Sequence, residues 1–303
     1  MGKIMRIESI SQIHGMIGYE KPKHPLISFI EPSKLELKIP VIKQQFTMGF
    51  YNISLKSGSE CKIKYGRQYY DFQEGSMLFL APGQIIEPVS TSEYTYEPEL
   101  PGWILLFHPD LIRRSSLGKK MDEYTFFSYD VHEALHLSEQ ERVTVTNIAN
   151  AIKEEYSKNI DIYSQDLIIS NLELLLNYCK RFYGRQFITR TNANKDAVIR
   201  FEEFLKSYFE SGKPEALGLP SVKTCAEAMC YSPNYLSDLL KKETGKNTQE
   251  HIHLYLIEKA KNLLLGTEEP VYKIAYSLGF EYPQHFSKFF KNETGMSPAE
   301  YRH

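Results

Sequence analysis

Residues 274–302 read IAYSLGFEYPQHFSKFFKNETGMSPAEYR, and this stretch decides how the C-terminal part of the chain folds. It places Ile274 and Ala275 on one helical face. Gly279 tolerates a positive φ angle, and Phe280 follows where a turn must lead into the next helix. A short helix, a tight turn and a second helix together make a helix-turn-helix unit. We therefore predict one such unit in this stretch.

A second copy of this pattern lies about fifty residues earlier, and an internal duplication of this kind indicates a repeated structural unit. Residues 236–245, LSDLLKKETG, match residues 286–295, FSKFFKNETG. Cys230 stands at the turn position that Gly279 holds in the later copy. Residues 248–265, between the copies, have the pattern of one long helix. We predict two helix-turn-helix units at a fixed separation, suited to successive major grooves about 34 Å apart.

The two copies resemble the C-terminal domain of the AraC/XylS family of transcription regulators. Residues 274–280, 285–291 and 295–302 carry the resemblance. It implies a chain that binds double-stranded DNA through two helix-turn-helix units, contacts RNA polymerase and acts as an activator, not as an enzyme. Two residues depart from the family pattern. Leu256 stands where the connecting helix often has an arginine, and Asp238 stands where the first recognition helix often has a basic residue.

The outward faces of the second helix in each copy supply the candidate DNA contacts. Gln284 suits an adenine edge and Lys288 suits a guanine, whereas three other lysines suit phosphates. The candidates are Asn234, Tyr235, Ser237, Asp238, Lys241 and Lys246 in the first copy, and Pro283, Gln284, His285, Ser287, Lys288 and Lys291 in the second. For each of them the alternative is an ordinary solvated surface residue, and His285 equally suits a half-buried structural role.

Short β-rich runs separated by turn residues occupy the chain from residue 35 to residue 107. Turn residues such as Gly75 and Pro82 break the runs, and this rhythm favours an antiparallel sandwich or barrel. The region resembles the cupin-like sensing and dimerisation domain of many such regulators. The expected fold class is α+β, with a cupin-like β-barrel and a helical hairpin followed by an all-α domain of two helix-turn-helix units.

A small barrel can enclose one small molecule, so this region is the candidate site for an effector. The candidate lining residues are Tyr51, Tyr65, Arg67, Tyr69, Phe79 and Trp103. A filled core is the alternative. Enzymatic cupins hold a metal with histidines, and none occurs between Gly58 and Glu87. We therefore expect no metal, no cofactor and no catalytic residue.

Two helices are predicted after the β-rich region. Ser138 opens the first with a capping box. The second, residues 164–183, carries more apolar residues than one packed face needs. Either this helix is sandwiched within its own domain or its surplus stripe meets another subunit. We expect the second case, a homodimer whose interface contains Ile169, Leu174 and Leu176.

These patterns divide the chain into four parts. We expect a cupin-like sensing domain over residues 1–120 and a helical dimerisation region over residues 121–184. A polar stretch without periodicity, residues 185–196, is the expected linker. The DNA-binding domain is expected over residues 197–303.

The composition is that of a folded, water-soluble protein. Of the 303 residues, 42% are hydrophobic and 24% are charged, which excludes a disordered chain. The net charge of −2 excludes a uniformly basic surface and leaves room for a local cationic patch. No stretch reaches the roughly 18 apolar residues of a membrane helix, so we expect a cytoplasmic protein with no membrane partner.

The favoured hypothesis is a dimeric activator that responds to a small molecule. A first alternative is a ligand-independent regulator controlled by a protein partner. A second is a cupin-type enzyme with an appended helical domain, which the missing histidines disfavour.

Overall fold

The computed structural model describes residues 4–34, 45–56, 63–65, 68–70, 75–86, 102–130, 133–158, 161–189 and 191–303. The chain divides into two compact units, an N-terminal unit of Met1–Gln186 and a C-terminal unit of Phe187–His303. No helix in the described ranges is long and apolar enough to cross a membrane.

The N-terminal unit contains sheets that fit the β-rich runs of the sequence. Its strands are β1 (Met5–Ile7), β2 (Ile27–Ile30), β3 (Phe46–Met48), β4 (Tyr51–Lys56), β5 (Ile63–Tyr65), β6 (Gln68–Tyr70), β7 (Ser76–Leu80), β8 (Ile85–Ile86), β9 (Gly102–Phe107) and β10 (Leu135–His136). The largest sheet has the antiparallel order β10-β7-β4-β9-β2, and smaller sheets are formed by β1-β3-β8 and by β5-β6. The strands that are described do not close into a barrel, so the predicted cupin-like barrel is not confirmed.

The five-stranded sheet has apolar side chains packed against both of its faces. Successive residues of a strand point to opposite faces. Phe79 on one face packs against Phe126 and Tyr183, with ring centroids 4.5 Å and 6.0 Å away. On the other face, Leu106 belongs to a buried cluster with Phe50. The sheet is therefore a central layer of this unit.

Among the residues that the structure describes, the α-helices that accompany these sheets are α1 (Ile10–Ile17), α2 (Pro109–Ile112), α3 (Ser116–Lys120), α4 (Glu139–Ser157) and α5 (Ser164–Thr189). The predicted capping box at the start of α4 is present, because Glu141 N donates to Ser138 Oγ over 3.4 Å and Ser138 N donates to Glu141 Oε2 over 2.9 Å. Tyr156 ties the same helix to the sheet, since its hydroxyl accepts from Phe29 N over 2.8 Å.

The C-terminal unit is helical. Its helices are α6 (Thr191–Glu210), α7 (Lys213–Leu217), α8 (Val222–Met229), α9 (Pro233–Thr244), α10 (Thr248–Gly266), α11 (Val271–Ser277), α12 (Pro283–Thr294) and α13 (Pro298–Arg302). Helices α8 and α9 form the first helix-turn-helix, α11 and α12 form the second, and α10 connects them.

The predicted linker differs from the structure. Residues 185–196 are helical apart from residue 190, which lies outside the described residues, because α5 continues to Thr189 and α6 begins at Thr191. Phe187 is 5% exposed, and Asn194, at 3%, donates from Nδ2 to the Phe187 carbonyl over 2.6 Å. Tertiary burial thus orders a stretch that its polar sequence alone presents as irregular.

Candidate nucleic-acid interface

The second helix-turn-helix has a turn that only glycine fits. Gly279 adopts a φ of 93°, and a Cβ there would lie 2.9 Å from the backbone carbon of Gly218. The turn is closed by Phe280 N, which donates to the Ala275 carbonyl over 3.0 Å. The Phe280 ring then packs 5.3 Å from Phe286, the first buried ring of α12. The close approach of two backbones fixes the angle at which α12 leaves the turn.

The first helix-turn-helix repeats this geometry with different residues. Cys230 adopts a φ of 58°, the left-handed conformation that side chains with a Cβ rarely take. Tyr231 N donates to the Ala226 carbonyl over 2.9 Å, as Phe280 N does in the second copy. Helix α9 begins with Ser232, whose side chain accepts from Tyr235 N over 3.3 Å. The predicted match between Cys230 and Gly279 is thus seen in the backbone.

Helix α12 separates a buried face from an exposed one. Phe286 and Phe290 are fully buried in the core of the C-terminal unit. The exposed face carries the predicted base and phosphate contacts Gln284, His285, Lys288 and Lys291. Ser287 and Pro283 are half-buried, and Ser287 Oγ donates back to the Pro283 carbonyl over 3.1 Å. Four of the six predicted contacts in this copy are therefore accessible.

Helix α9 presents fewer of its predicted contacts. Tyr235 is only 4% exposed, with its ring packed 5.1 Å from Phe187 and 5.3 Å from Tyr231. We correct the expectation that Tyr235 faces DNA, because it is part of the core. Ser237 Oγ donates to the buried Thr248 Oγ1 over 3.0 Å, so its hydroxyl is bonded within the chain.

The remaining candidates of the first copy lie at the surface. Asn234, Lys241 and Lys246 are exposed, and Asp238 is half-buried. Lys246 follows Gly245, which ends α9 in a left-handed conformation. This copy thus offers cations and one amide, together with a carboxylate that repels phosphate.

The connecting helix α10 is a rigid spacer within the C-terminal unit. It begins with a capping box in which Glu250 N donates to Asn247 Oδ1 over 3.0 Å and Asn247 N donates to Glu250 Oε2 over 2.7 Å. Leu256, the residue that departs from the family pattern, is 1% exposed and packs in the core. A phosphate contact from this position is therefore replaced by packing.

His251 fastens α10 to the end of α9. Its Nε2 lies 2.7 Å from Thr244 Oγ1, and its ring meets the edge of Phe201 at 5.7 Å. Burial lowers the pKa of His251 below its ordinary value. Burial therefore favours the neutral form of the ring. Sequence reasoning did not identify the contact between His251 and Thr244.

Three of the predicted effector-pocket residues fill the N-terminal core. The Tyr51 ring stacks on Phe107 at 4.8 Å, and Trp103 Nε1 donates to Thr146 Oγ1 over 3.1 Å. The cavity beside Phe79 has a volume of about 10 Å³, room for a single water. Arg67 and the side chains of Tyr65 and Tyr69 lie outside the described residues. The described members of the set are thus packed against neighbouring side chains, and their role as effector contacts stays a prediction.

The predicted dimer residues do not share one surface. Leu176 is fully buried and Ile169 is 9% exposed, so both pack inside the N-terminal unit. Leu174 is 45% exposed, and the same helix leaves Leu167 49% exposed. Tyr163, just before α5, is 65% exposed. The surplus apolar stripe therefore exists, but it is formed by Leu167 and Leu174 and not by Ile169 and Leu176.

Comparison with known proteins agrees with this arrangement. The family described as a helix-turn-helix domain matches residues 225–303. The HTH-type transcriptional activator RhaS of Enterobacter sp. (strain 638) is 31% identical over 202 residues, which cover 66% of this chain and 67% of that protein. The uncharacterized HTH-type transcriptional regulator YijO of Escherichia coli (strain K12) is 33% identical over 128 residues, 42% of each protein.

Among solved structures, the C-terminal domain of AraT, a response regulator from Geobacillus stearothermophilus, is 32% identical, covering 35% of this chain and 83% of that chain with a TM-score of 0.31. The matched region spans only 42% of YijO and 34% of the Bacillus subtilis (strain 168) regulator YobQ. The likeness to RhaS extends over two thirds of that protein. The family consists of transcription regulators and not of enzymes. This chain belongs to the AraC/XylS family of DNA-binding transcription regulators.

Proposed function

We propose that this regulator reads a specific operator mainly through its second helix-turn-helix and uses the first mainly to hold the DNA backbone. The observation that carries the proposal is the exposed face of α12. A long amide at Gln284 and an ammonium at Lys288 stand there on a helix held by buried rings. Such side chains reach base edges in the major groove.

The first helix-turn-helix supports the complementary role. The hydroxyl of Ser237 in this unit already donates its hydrogen bond to Thr248 within the chain. Lys241 and Lys246 are exposed and form no ion pair among the described residues. Free lysines at these positions suit phosphates, which set register without reading sequence.

Sequencing the genomic fragments that the purified chain retains tests this proposal. We expect one enriched motif, lost when Gln284 and Lys288 are both changed to alanine. The matched control changes Lys259 and Lys261, on the connecting helix, to alanine and should keep the motif. Retention of fragments without any shared motif would contradict sequence-specific reading, and retention by residues 1–185 alone would contradict the location.

We further propose a homodimer that joins through the exposed stripe of Leu167 and Leu174 on α5, next to Tyr163. Such a stripe on a helix indicates contact with another apolar surface. Leu174→Glu should give monomers in sedimentation analysis, whereas Val143→Glu, at an apolar residue of α4 that is 47% exposed, should leave the dimer intact. An unchanged assembly in Leu174→Glu would reject this face.

Activation of transcription through RNA polymerase is part of the same proposal, supported by the relative named transcriptional activator RhaS. A small-molecule effector is supported by the relative named arabinose operon regulatory protein, 33% identical over 81 residues. Control by a protein partner is the competing possibility. A reporter gene behind the enriched motif distinguishes activation from repression when the regulator is supplied.

The N-terminal unit offers one polar atom for such an effector. Asn52 Oδ1 is buried and has no hydrogen-bond partner among the described residues. Asn52 pairs in register with Leu80 and Leu106, on the sheet face opposite to Phe79. A buried acceptor without a donor is costly, and a ligand donor would satisfy it. A metabolite that raises the melting temperature of the wild type should therefore lose most of its effect in Asn52→Leu.

A further inference from the structure

A groove within the C-terminal unit separates the two helix-turn-helix units. It has a volume of about 290 Å³. Its floor is formed by Ile252 and Leu256 of α10. One wall consists of Leu219 and Val222 at the start of the first helix-turn-helix, and the other of Phe280 and Phe289 from the second. One wall therefore belongs to each helix-turn-helix unit, and the separation of these two units sets how both of them meet DNA.

The internal repeat gives the groove-lining residue Phe289 a counterpart in the first copy. Phe289 aligns with Leu239 in the matching decapeptides. Leu239 is 1% exposed, whereas Phe289 is only half-buried and faces the groove. Leu219, on the opposite wall, is 37% exposed. Two apolar surfaces thus face each other across a space that no described side chain fills.

Polar groups stand along one side of the groove. Gln249, one turn before the floor residues on α10, is exposed, and its amide both donates and accepts hydrogen bonds. The His253 ring lies 5.1 Å from the Phe289 ring, and its Nδ1 lies 3.8 Å from Glu293 Oε1. A neutral imidazole has one nitrogen that accepts a hydrogen bond, so His253 can pair with an amide N–H. The Glu293 carboxylate disfavours an anion here.

We propose that this groove binds a small, flat, uncharged aromatic molecule that carries a carboxamide, and that its occupancy changes the affinity of the regulator for DNA. The rings lie between Phe289 and Leu219, and the carboxamide accepts from Gln249 and donates to His253. A ligand in the groove contacts residues from both helix-turn-helix units at once, so any change in their separation on DNA binding changes its affinity, and the ligand in turn changes the affinity for DNA. The second part of this proposal rests on the DNA-binding function proposed above.

The probe is 2-naphthamide, and its isosteric anion 2-naphthoate is the control. Equilibrium dialysis and naphthyl fluorescence measure the binding of each to the full chain without DNA. We expect saturable binding of the amide and at least tenfold weaker binding of the carboxylate. Leu219→Trp fills the groove and should weaken amide binding at least tenfold. Leu217→Trp, on a side chain that is 72% exposed and outside the groove, should leave it unchanged. A thermal melt verifies that both variants fold.

Titration of the retained DNA motif with and without a saturating concentration of 2-naphthamide then tests the coupling. We expect about a fivefold or larger change in DNA affinity for the wild type and none for Leu219→Trp. Absence of saturable binding, or equal binding by both tryptophan variants, would overturn the site. An unchanged DNA affinity with the probe bound would overturn the coupling. Failure to bind DNA without any probe would instead contradict the proposed function and leave the dialysis result standing.

Discussion

The two helix-turn-helix units share a backbone and differ in what they present on it. Both place a left-handed residue in the turn, Cys230 in the first and Gly279 in the second. The second helix of the later copy exposes Gln284 and Lys288, whereas the earlier copy has the shorter Asn234 at the place of Gln284 and the half-buried Asp238 at the place of Lys288. The duplicated fold therefore positions two recognition helices, and a few surface residues decide which of these helices reads bases.

The largest effect is expected at the tighter of the two turns. Gly279→Ala places a Cβ against the Gly218 backbone at 2.9 Å and in a positive φ, so it should lower the free energy of unfolding by about 3 kcal/mol. Gly295→Ala is the control, because its φ is 81° but no atom lies within 4 Å of the added Cβ. Chemical unfolding should show a clearly smaller loss for the control. Equal losses would mean that the close approach does not constrain the second copy.

Lys288→Ala should have the next largest effect. Loss of a direct base contact costs about 1–3 kcal/mol of binding free energy and relaxes preference at one base position. Titrations on the retained motif and on a scrambled site measure both quantities. The same loss on both sites would show that Lys288 contacts phosphate.

Asp238→Lys should act in the opposite way. Replacing a carboxylate by an ammonium adds a phosphate contact, so binding to all sequences should strengthen together. The slope of log affinity against log salt should steepen by about one. Titrations at four salt concentrations on matched and scrambled sites provide the measurement. A gain confined to the matched site would assign base reading to this residue and break the contrast between the copies.

Cys230→Gly should make the first turn resemble the second. Glycine relieves the left-handed strain but orders a more flexible chain, and the net gain in stability should be about 0.5–1 kcal/mol. Urea unfolding of the variant under reducing conditions tests this. A loss of stability would show that the Cys230 side chain contributes more than its backbone strain costs.

The smallest effect is expected from the His251 contact between α9 and α10. Its pKa is lowered in the folded chain by burial, so its contribution to stability is complete above its ordinary pKa of 6.5 and is lost as pH falls below that value. His251→Gln should reduce the drop in unfolding free energy between pH 7.5 and pH 5.5. His303→Gln, at the exposed terminus, should leave that drop unchanged.

The sequence predicted the C-terminal unit well because its signals are local. The turn at Gly279 and the apolar spacing of the repeat depend on residues a few positions apart. The spacing of Tyr235 allows either face of α9, and Phe187, which covers its ring, lies in the stretch expected to be a linker. Such a contact depends on tertiary packing that periodicity does not contain.

The N-terminal unit was harder to predict for a related reason. Strand alternation separates Phe79 and Leu106 onto opposite faces, but both faces are buried, so the pattern does not indicate which one meets the helices. The apolar excess of α5 predicts an interface role for Leu176. The structure buries it against its own unit and exposes Leu174. The sequence predicted that α5 has an apolar stripe beyond its packed face. It did not predict which apolar residues pack inside the unit and which stay exposed.

The central claim is that sequence reading resides in the second helix-turn-helix, and a binding-site selection from random DNA with two matched double variants tests it most directly. One variant carries Gln284→Ala and Lys288→Ala, and the other carries Asn234→Ala and Lys241→Ala. We predict that the first loses most of the base preference across the selected motif, while the second keeps the motif and binds all sequences more weakly. Loss of preference in the second variant with the motif retained in the first would contradict the account.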